Sequence, residues 1–171
     1  DNGAVRAFAG SLRQSGEIRA TRMAVDAGGN IVLSGSNNVM LTADSITRSD
    51  GAAGGQIVIL SEQGTTRVEG EVSARGLAGA GGDIRILGQR VALDAAAQID
   101  ASGSSAGGQI LVGGDYQGRN PDVQNAQRVF VGSGVTLNAD ALPMAMVAVV
   151  MNMGMFVVQC LVFVPVLMAL Q

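Results

Sequence analysis

The sequence contains no histidine, no tryptophan and no lysine. Without histidine there is no Ser-His-Asp or Cys-His catalysis and no imidazole metal site. A single cysteine, Cys160, rules out an internal disulfide, and with no base to activate it, it is no credible nucleophile. Aromatic residues make up only 3% of the 171 residues, which excludes a core built on large rings. All eleven basic residues are arginine, against fourteen acidic ones, for a net charge of −3. That balance lacks the basic footprint of a nucleic-acid binder, so no nucleic-acid partner is expected. The chain opens on Asp1 with no basic-then-apolar leader, and it reads as an interior piece of something longer.

Glycine is abundant, with 25 residues, and its placement is periodic. A small residue, a glycine, one variable residue and an alternating apolar run recur together. They stand at Gly28-Gly29-Asn30-Ile31-Val32-Leu33, Gly54-Gly55-Gln56-Ile57-Val58-Ile59 and Gly81-Gly82-Asp83-Ile84-Arg85-Ile86. They return at Gly107-Gly108-Gln109-Ile110-Leu111-Val112, and the first copy is Gly3-Ala4-Val5-Arg6-Ala7. The anchors at 3, 29, 55, 82 and 108 are 26, 26, 27 and 26 residues apart. Each period holds two further alternating runs, such as Val39-Met40-Leu41 and Val91-Ala92-Leu93. The last run reads Ile18-Arg19-Ala20, Ile46-Thr47-Arg48, Val72-Ser73-Ala74 and Ile99-Asp100-Ala101.

Alternation over a few residues between Gly, Ser, Asn and Asp marks short strands. Three strands per 26 residues, repeated, make an all-β fold: a parallel β-helix of about five coils over residues 1–140. Stacking at about 4.8 Å per coil gives a rod of about 25 Å. Ile31, Ile57, Ile84 and Ile110 are expected to form an inward column, and Asn30, Gln56, Asp83 and Gln109 an outward ladder. The glycine pairs are expected at sharp corners, where they allow positive φ and leave out a Cβ that would clash.

The fifth unit breaks rhythm after Val112 and resumes near Val129-Phe130-Val131 and Val135-Thr136-Leu137. The intervening stretch is expected to be a loop projecting from the stack. Loops on rigid scaffolds carry binding function, so Asp115, Tyr116, Arg119 and Asn120 are the candidate partner contacts.

These residues also carry a family resemblance. The segment GGDIRILGQRVALDAAAQIDASGSSAGGQILVGGDYQGRNPDVQNAQRVFVGSGVTLNADA, with IDASG, GGQILVGGDYQG and NAQ as its sharpest phrases, resembles the filamentous-haemagglutinin-like exoproteins that bacteria export by two-partner secretion. GEIRATR and GEVSARG resemble them less sharply. The resemblance spans roughly residues 1–140. It implies a right-handed parallel β-helix in the shaft of a large secreted surface adhesin, with an outer-membrane transporter as the export partner. It implies no catalytic site and no cofactor. The export domain of that family lies near the N-terminus, and nothing here matches it.

Residues 141–171 differ in character. Asp140 is the last charged residue, and six of the eight methionines follow it. Length and hydropathy allow one membrane-spanning or capping helix, although Asn152, Gln159 and Pro165 interrupt it and no arginine flanks it. A second reading is out-of-frame translation. Codons for Met144-Ala145-Met146-Val147-Ala148, read one nucleotide earlier, span a Gly-rich anchor where the next coil should open. The two readings stay open on sequence alone.

Glycoside cleavage needs two carboxyl groups about 5–10 Å apart across a groove. Glu69 and Glu71 flank Gly70, and Asp83, Asp94 and Asp100 belong to one coil. No aromatic sugar platform gathers them, so they read as solvated outward carboxylates and no enzyme is expected. Calcium is not expected either, because Asp83 has no aspartate counterpart in other coils and the period is not nine. Gly76–Gly82 lacks the spacing and lysine of a phosphate loop. The expected function is a secreted or cell-surface structural segment that carries regions binding host-cell or matrix glycans or proteins. Its nearest partners are the neighbouring coils of the same longer chain. The alternative is a β-helix enzyme or binding segment acting on polysaccharide.

Overall fold

The computed structural model describes residues 3–22, 27–95, 97–140 and 147–149. Its strands stack as a parallel β-helix, a solenoid with four full turns between its five anchors. The first face stacks Ala4–Ala9, Asn30–Gly35, Gln56–Val68, Asp83–Leu93 and Gln109–Val112 in that order, every pair parallel. The second face stacks Leu12–Gln14 and Val39–Leu41 on the ends of the two long strands, with Arg128–Val131 above. The third face stacks Glu17–Arg19, Ile46–Arg48, Glu71–Ser73, Gln98–Asp100 and Thr136–Asn138. The one antiparallel pair among the described residues joins Thr21–Arg22 to Ala27–Gly28.

Register places like over like. Ile31, Ile57, Ile84 and Ile110 lie in one column, and each is fully buried. Leu33, Ile59, Ile86 and Val112 form the next inward column. Burying one such side chain is worth about 1.5–3 kcal/mol. The columns are the core, and none of the described rings enters them. Phe8, Tyr116 and Phe130, the described aromatics, are all more than half exposed. Outside the column, Asn30, Gln56, Asp83 and Gln109 stack as expected, and the Gln56 amide donates to Asp83 Oδ2 at 3.4 Å.

The anchor glycines serve close approach rather than positive φ. Only Gly3, in the first coil, has a positive φ among the anchors. A Cβ on Gly55 would overlap the Gly29 carbonyl oxygen, one on Gly82 that of Gly55, and one on Gly108 that of Gly82. Those carbonyls are the acceptors that join coils: Gly29 O takes Gln56 N at 2.9 Å, Gly55 O takes Asp83 N at 2.9 Å and Gly82 O takes Gln109 N at 2.9 Å. The corner is therefore packed backbone on backbone.

One strand sits a residue away from its expected alignment. Thr47, not Ile46, pairs with Ile18 and Val72 and takes the fully buried inward position. The corner before it sets this. Ser45 N donates to Thr42 O at 2.9 Å, as Ala97 N donates to Asp94 O at 3.0 Å two coils later. Thr42–Ser45 and Asp94–Ala97 are corners of equal length, so Thr47 lands where Ile99 does, and a one-residue shift reverses the faces. The Thr47 hydroxyl donates to Gln14 Oε1 at 2.9 Å, which satisfies it inside the core.

Of residues 141–171 only Val147–Val149 is described, as a strand pairing parallel with Gln109–Val112 in the register Ile110↔Val147. The membrane-helix and out-of-frame readings of this tail lie otherwise outside the described residues.

Candidate functional site

The loop between Val112 and Arg128 leaves the first face and rejoins the second. Ala126 N donates to Gly113 O at 2.6 Å, which closes its base. Gln127 N donates to Gln89 O at 2.8 Å, on the fourth coil. The Gln124 side-chain amide reaches Glu62 O at 3.0 Å, on the third coil. The loop therefore folds back along the rod instead of projecting from it. Corner lengths explain this. Between paired positions the third coil has Glu62-Gln63-Gly64, whereas the fourth has Gln89 alone. The fourth coil is recessed there, and the loop lies across the recess. Val123 of the loop and Leu87 of the fourth coil are both buried, outside the central columns.

Asp115 has extended backbone (φ −98°, ψ 171°), and its carboxylate accepts Tyr116 N at 2.6 Å, capping the 3-10 turn Tyr116–Gly118. Gly118 N donates back to Asp115 O at 2.9 Å. Asn120 Oδ1 accepts Asp122 N at 3.0 Å in a turn that Pro121 favours. Asn125 holds the two limbs together. Its amide donates to Gly118 O at 3.0 Å, and its Oδ1 faces Gly114, whose φ of 152° and lack of a Cβ make room for it.

The four sequence candidates thus meet in one turn with different duties. Asp115 and Asn120 use a side-chain oxygen to fix the backbone. Tyr116, 62% exposed, and Arg119, also exposed and without a carboxylate partner among the described residues, face solvent.

The carboxylates weighed for sugar chemistry are spent on arginines or on the backbone. Glu71 takes the Arg48 guanidinium of the coil below at 2.9 and 3.1 Å. Arg67 bridges Glu69 at 2.7 Å and Asp94 of the next coil at 2.9 Å. Asp83 pairs with Arg85 at 2.7 Å, and Asp100 accepts Ser102 N at 2.9 Å. Three of the five arginine–carboxylate pairs among the described residues join adjacent coils and act as staples.

The staple with the most buried carboxylate has no signal in the sequence. Asp50, at a buried corner, accepts Ser73 Oγ at 2.6 Å, Arg75 N at 2.7 Å and the Arg75 guanidinium at 3.1 Å. Burial acts to raise its pKa. The hydrogen bonds from Ser73 and from the Arg75 backbone and side chain, with the Arg75 charge, outweigh that and hold the carboxyl below its ordinary value. Its partners lie 23 and 25 residues away, one coil on, with no motif to link them.

No cluster of three or more metal-ligating side chains occurs among the described residues. A groove of about 480 Å³ runs along the anchor corner, lined by the glycine pairs with Asn30, Gln56, Asp83 and Gln109.

Among solved structures the chain is similar to the HMW1 secretion domain from Haemophilus influenzae. The likeness has a TM-score of 0.62 and 30% sequence identity, over 77% of this chain and 34% of that one. The chain thus spans about a third of that structure's length. No family model matches the sequence, and no curated protein matches it.

Proposed function

We propose that this chain is a shaft segment of a secreted bacterial surface exoprotein, which holds adhesive regions away from the cell. The observation that carries the reading is the in-register stacking of like on like along one axis. Such a fold propagates without limit in principle, each coil templating the next. The likeness to a secretion domain supports export, and the sequence resemblance to the filamentous-haemagglutinin-like exoproteins supports adhesion.

A second reading takes the chain as the solenoid of an export domain, since the similar solved structure is itself a secretion domain. In this role the stack would engage an outer-membrane transporter. The two readings separate in the source bacterium. Antibody against residues 1–140 should label intact cells, and a deletion confined to the corresponding codons should leave the rest of the protein exported but reduce attachment to matrix-coated surfaces. Loss of export on that deletion favours the second reading. Antigen confined to the cytosol overturns both.

A further inference from the structure

Among the arginines whose side chains are described, four meet a carboxylate and six, Arg6, Arg13, Arg19, Arg90, Arg119 and Arg128, do not. The four are Arg48, Arg67, Arg75 and Arg85. Of the six, Arg90 and Arg128 are direct register partners on adjacent strands of the second face, both exposed. Neither guanidinium makes a hydrogen bond or ion pair with any described residue. Arg19 and Arg48 also stack, but Arg48 is neutralised by Glu71. Arg90 and Arg128 are therefore the in-register arginine pair, among the described residues, with no counter-charge on either member.

Like charges about 4.8 Å apart on neighbouring strands repel and lower stability. Among the described residues no carboxylate forms an ion pair with either of them. Two positions along the same outward side from Arg128 stands Phe130, 56% exposed and stacked over the small side chain of Ala92. All three described rings are exposed, and Phe130 is the one that shares a strand face with the arginine pair.

We propose that Arg90, Arg128 and Phe130 form a binding site for an acidic polysaccharide. The two guanidinium groups take carboxylate or sulfate oxygens from successive sugars, as planar bidentate donors do well. The phenyl ring packs against the apolar face of a sugar. The site is an open sheet face rather than a pocket, which suits an extended polymer. A nucleic acid would need a broader basic field than two arginines on a chain of net charge −3.

The test uses the whole chain with dextran sulfate, uncharged dextran and duplex DNA, by calorimetric titration at several salt concentrations. Dextran sulfate should bind, and uncharged dextran and DNA should bind far more weakly. The Arg90→Ser/Arg128→Ser double variant should lose about tenfold or more in affinity and show a shallower salt dependence. Phe130→Ala should lose a smaller factor. Arg6→Ser/Arg13→Ser, on the first coil, should bind as wild type. All three variants should keep the β-sheet circular dichroism spectrum, because the altered side chains are exposed. Unchanged affinity in the Arg90/Arg128 variant, equal loss in the Arg6/Arg13 variant, or equal binding of DNA would each overturn the proposal.

Discussion

Ser45 and Ala97 occupy the same corner in alternate coils. Each is fully buried and follows a turn of equal length closed by its own amide, but only Ser45 brings a hydroxyl, and that hydroxyl has no partner. Gly70 lies against it, its Cα facing the Ser45 carbonyl and hydroxyl. A buried, unpaired hydroxyl costs about 1–3 kcal/mol. Ser45→Ala should therefore raise stability by about 1 kcal/mol, and Ala97→Ser should lower it by a similar amount or more. Urea unfolding of the two variants checks the opposed signs.

The Asp50 staple makes stability depend on pH. Its carboxyl is held below its ordinary value in the fold, so the ionised form is the one that stabilises. That contribution is present above the unfolded value near 3.8 and is lost as pH falls through the lower folded value. Melting temperature measured from neutral pH downward should drop more steeply as pH falls below about 3.8 toward the lower folded value in the wild type than in Asp50→Asn. Asp50→Ala at neutral pH should cost about 2–3 kcal/mol, because the Ser73 hydroxyl and Arg75 amide lose their acceptor.

Glycines in the anchor should differ sharply from glycines elsewhere. Gly82→Ala forces a methyl into the Gly55 carbonyl oxygen, and should cost more than about 3 kcal/mol or prevent folding. Gly10→Ala meets nothing within 4 Å and should be neutral or slightly stabilising. Thermal unfolding of the pair measures the contrast.

The loop should be separable from the rod. Gly114→Ala puts a Cβ onto Asn125 Oδ1 at a φ of 152°, so the loop should loosen while the columns stay packed. Hydrogen exchange should speed up at Gly118 and Ala126, with the amides of Asp83–Leu93 unchanged.

The columns were legible in the sequence because their residues repeat almost without change. Ile31, Ile57, Ile84 and Ile110 stand two residues after each anchor glycine, and period-2 alternation assigns their side. Features set by corner length were not legible. Ile46 is more apolar than Thr47 and draws the eye, but the turn from Thr42 to Ser45 puts Thr47 inside, where Gln14 satisfies it. The loop was visible as a break after Val112. Its path was not, because that depends on Gln89 standing where the third coil has three residues. Asp50 and Arg75 were invisible as partners, since a coil-to-coil contact leaves no local motif. The loop residues are read from the sequence as a group, and the division between Tyr116 and Arg119 outside and Asp115 and Asn120 within follows only from hydrogen bonds.

The stacking of coils in register is the claim on which the rest depends. Val32, Val58 and Arg85 form one outward column across three coils. With Cys160 replaced by serine, Val32→Cys/Val58→Cys places two thiols on adjacent strands about 4.8 Å apart, within disulfide reach. Val32→Cys/Arg85→Cys separates them by two coils, about 9.6 Å and beyond reach. Mild oxidation followed by mass spectrometry of tryptic peptides should show an intramolecular disulfide in the first variant and none in the second. A cross-link in the second, or none in the first, would contradict the stack.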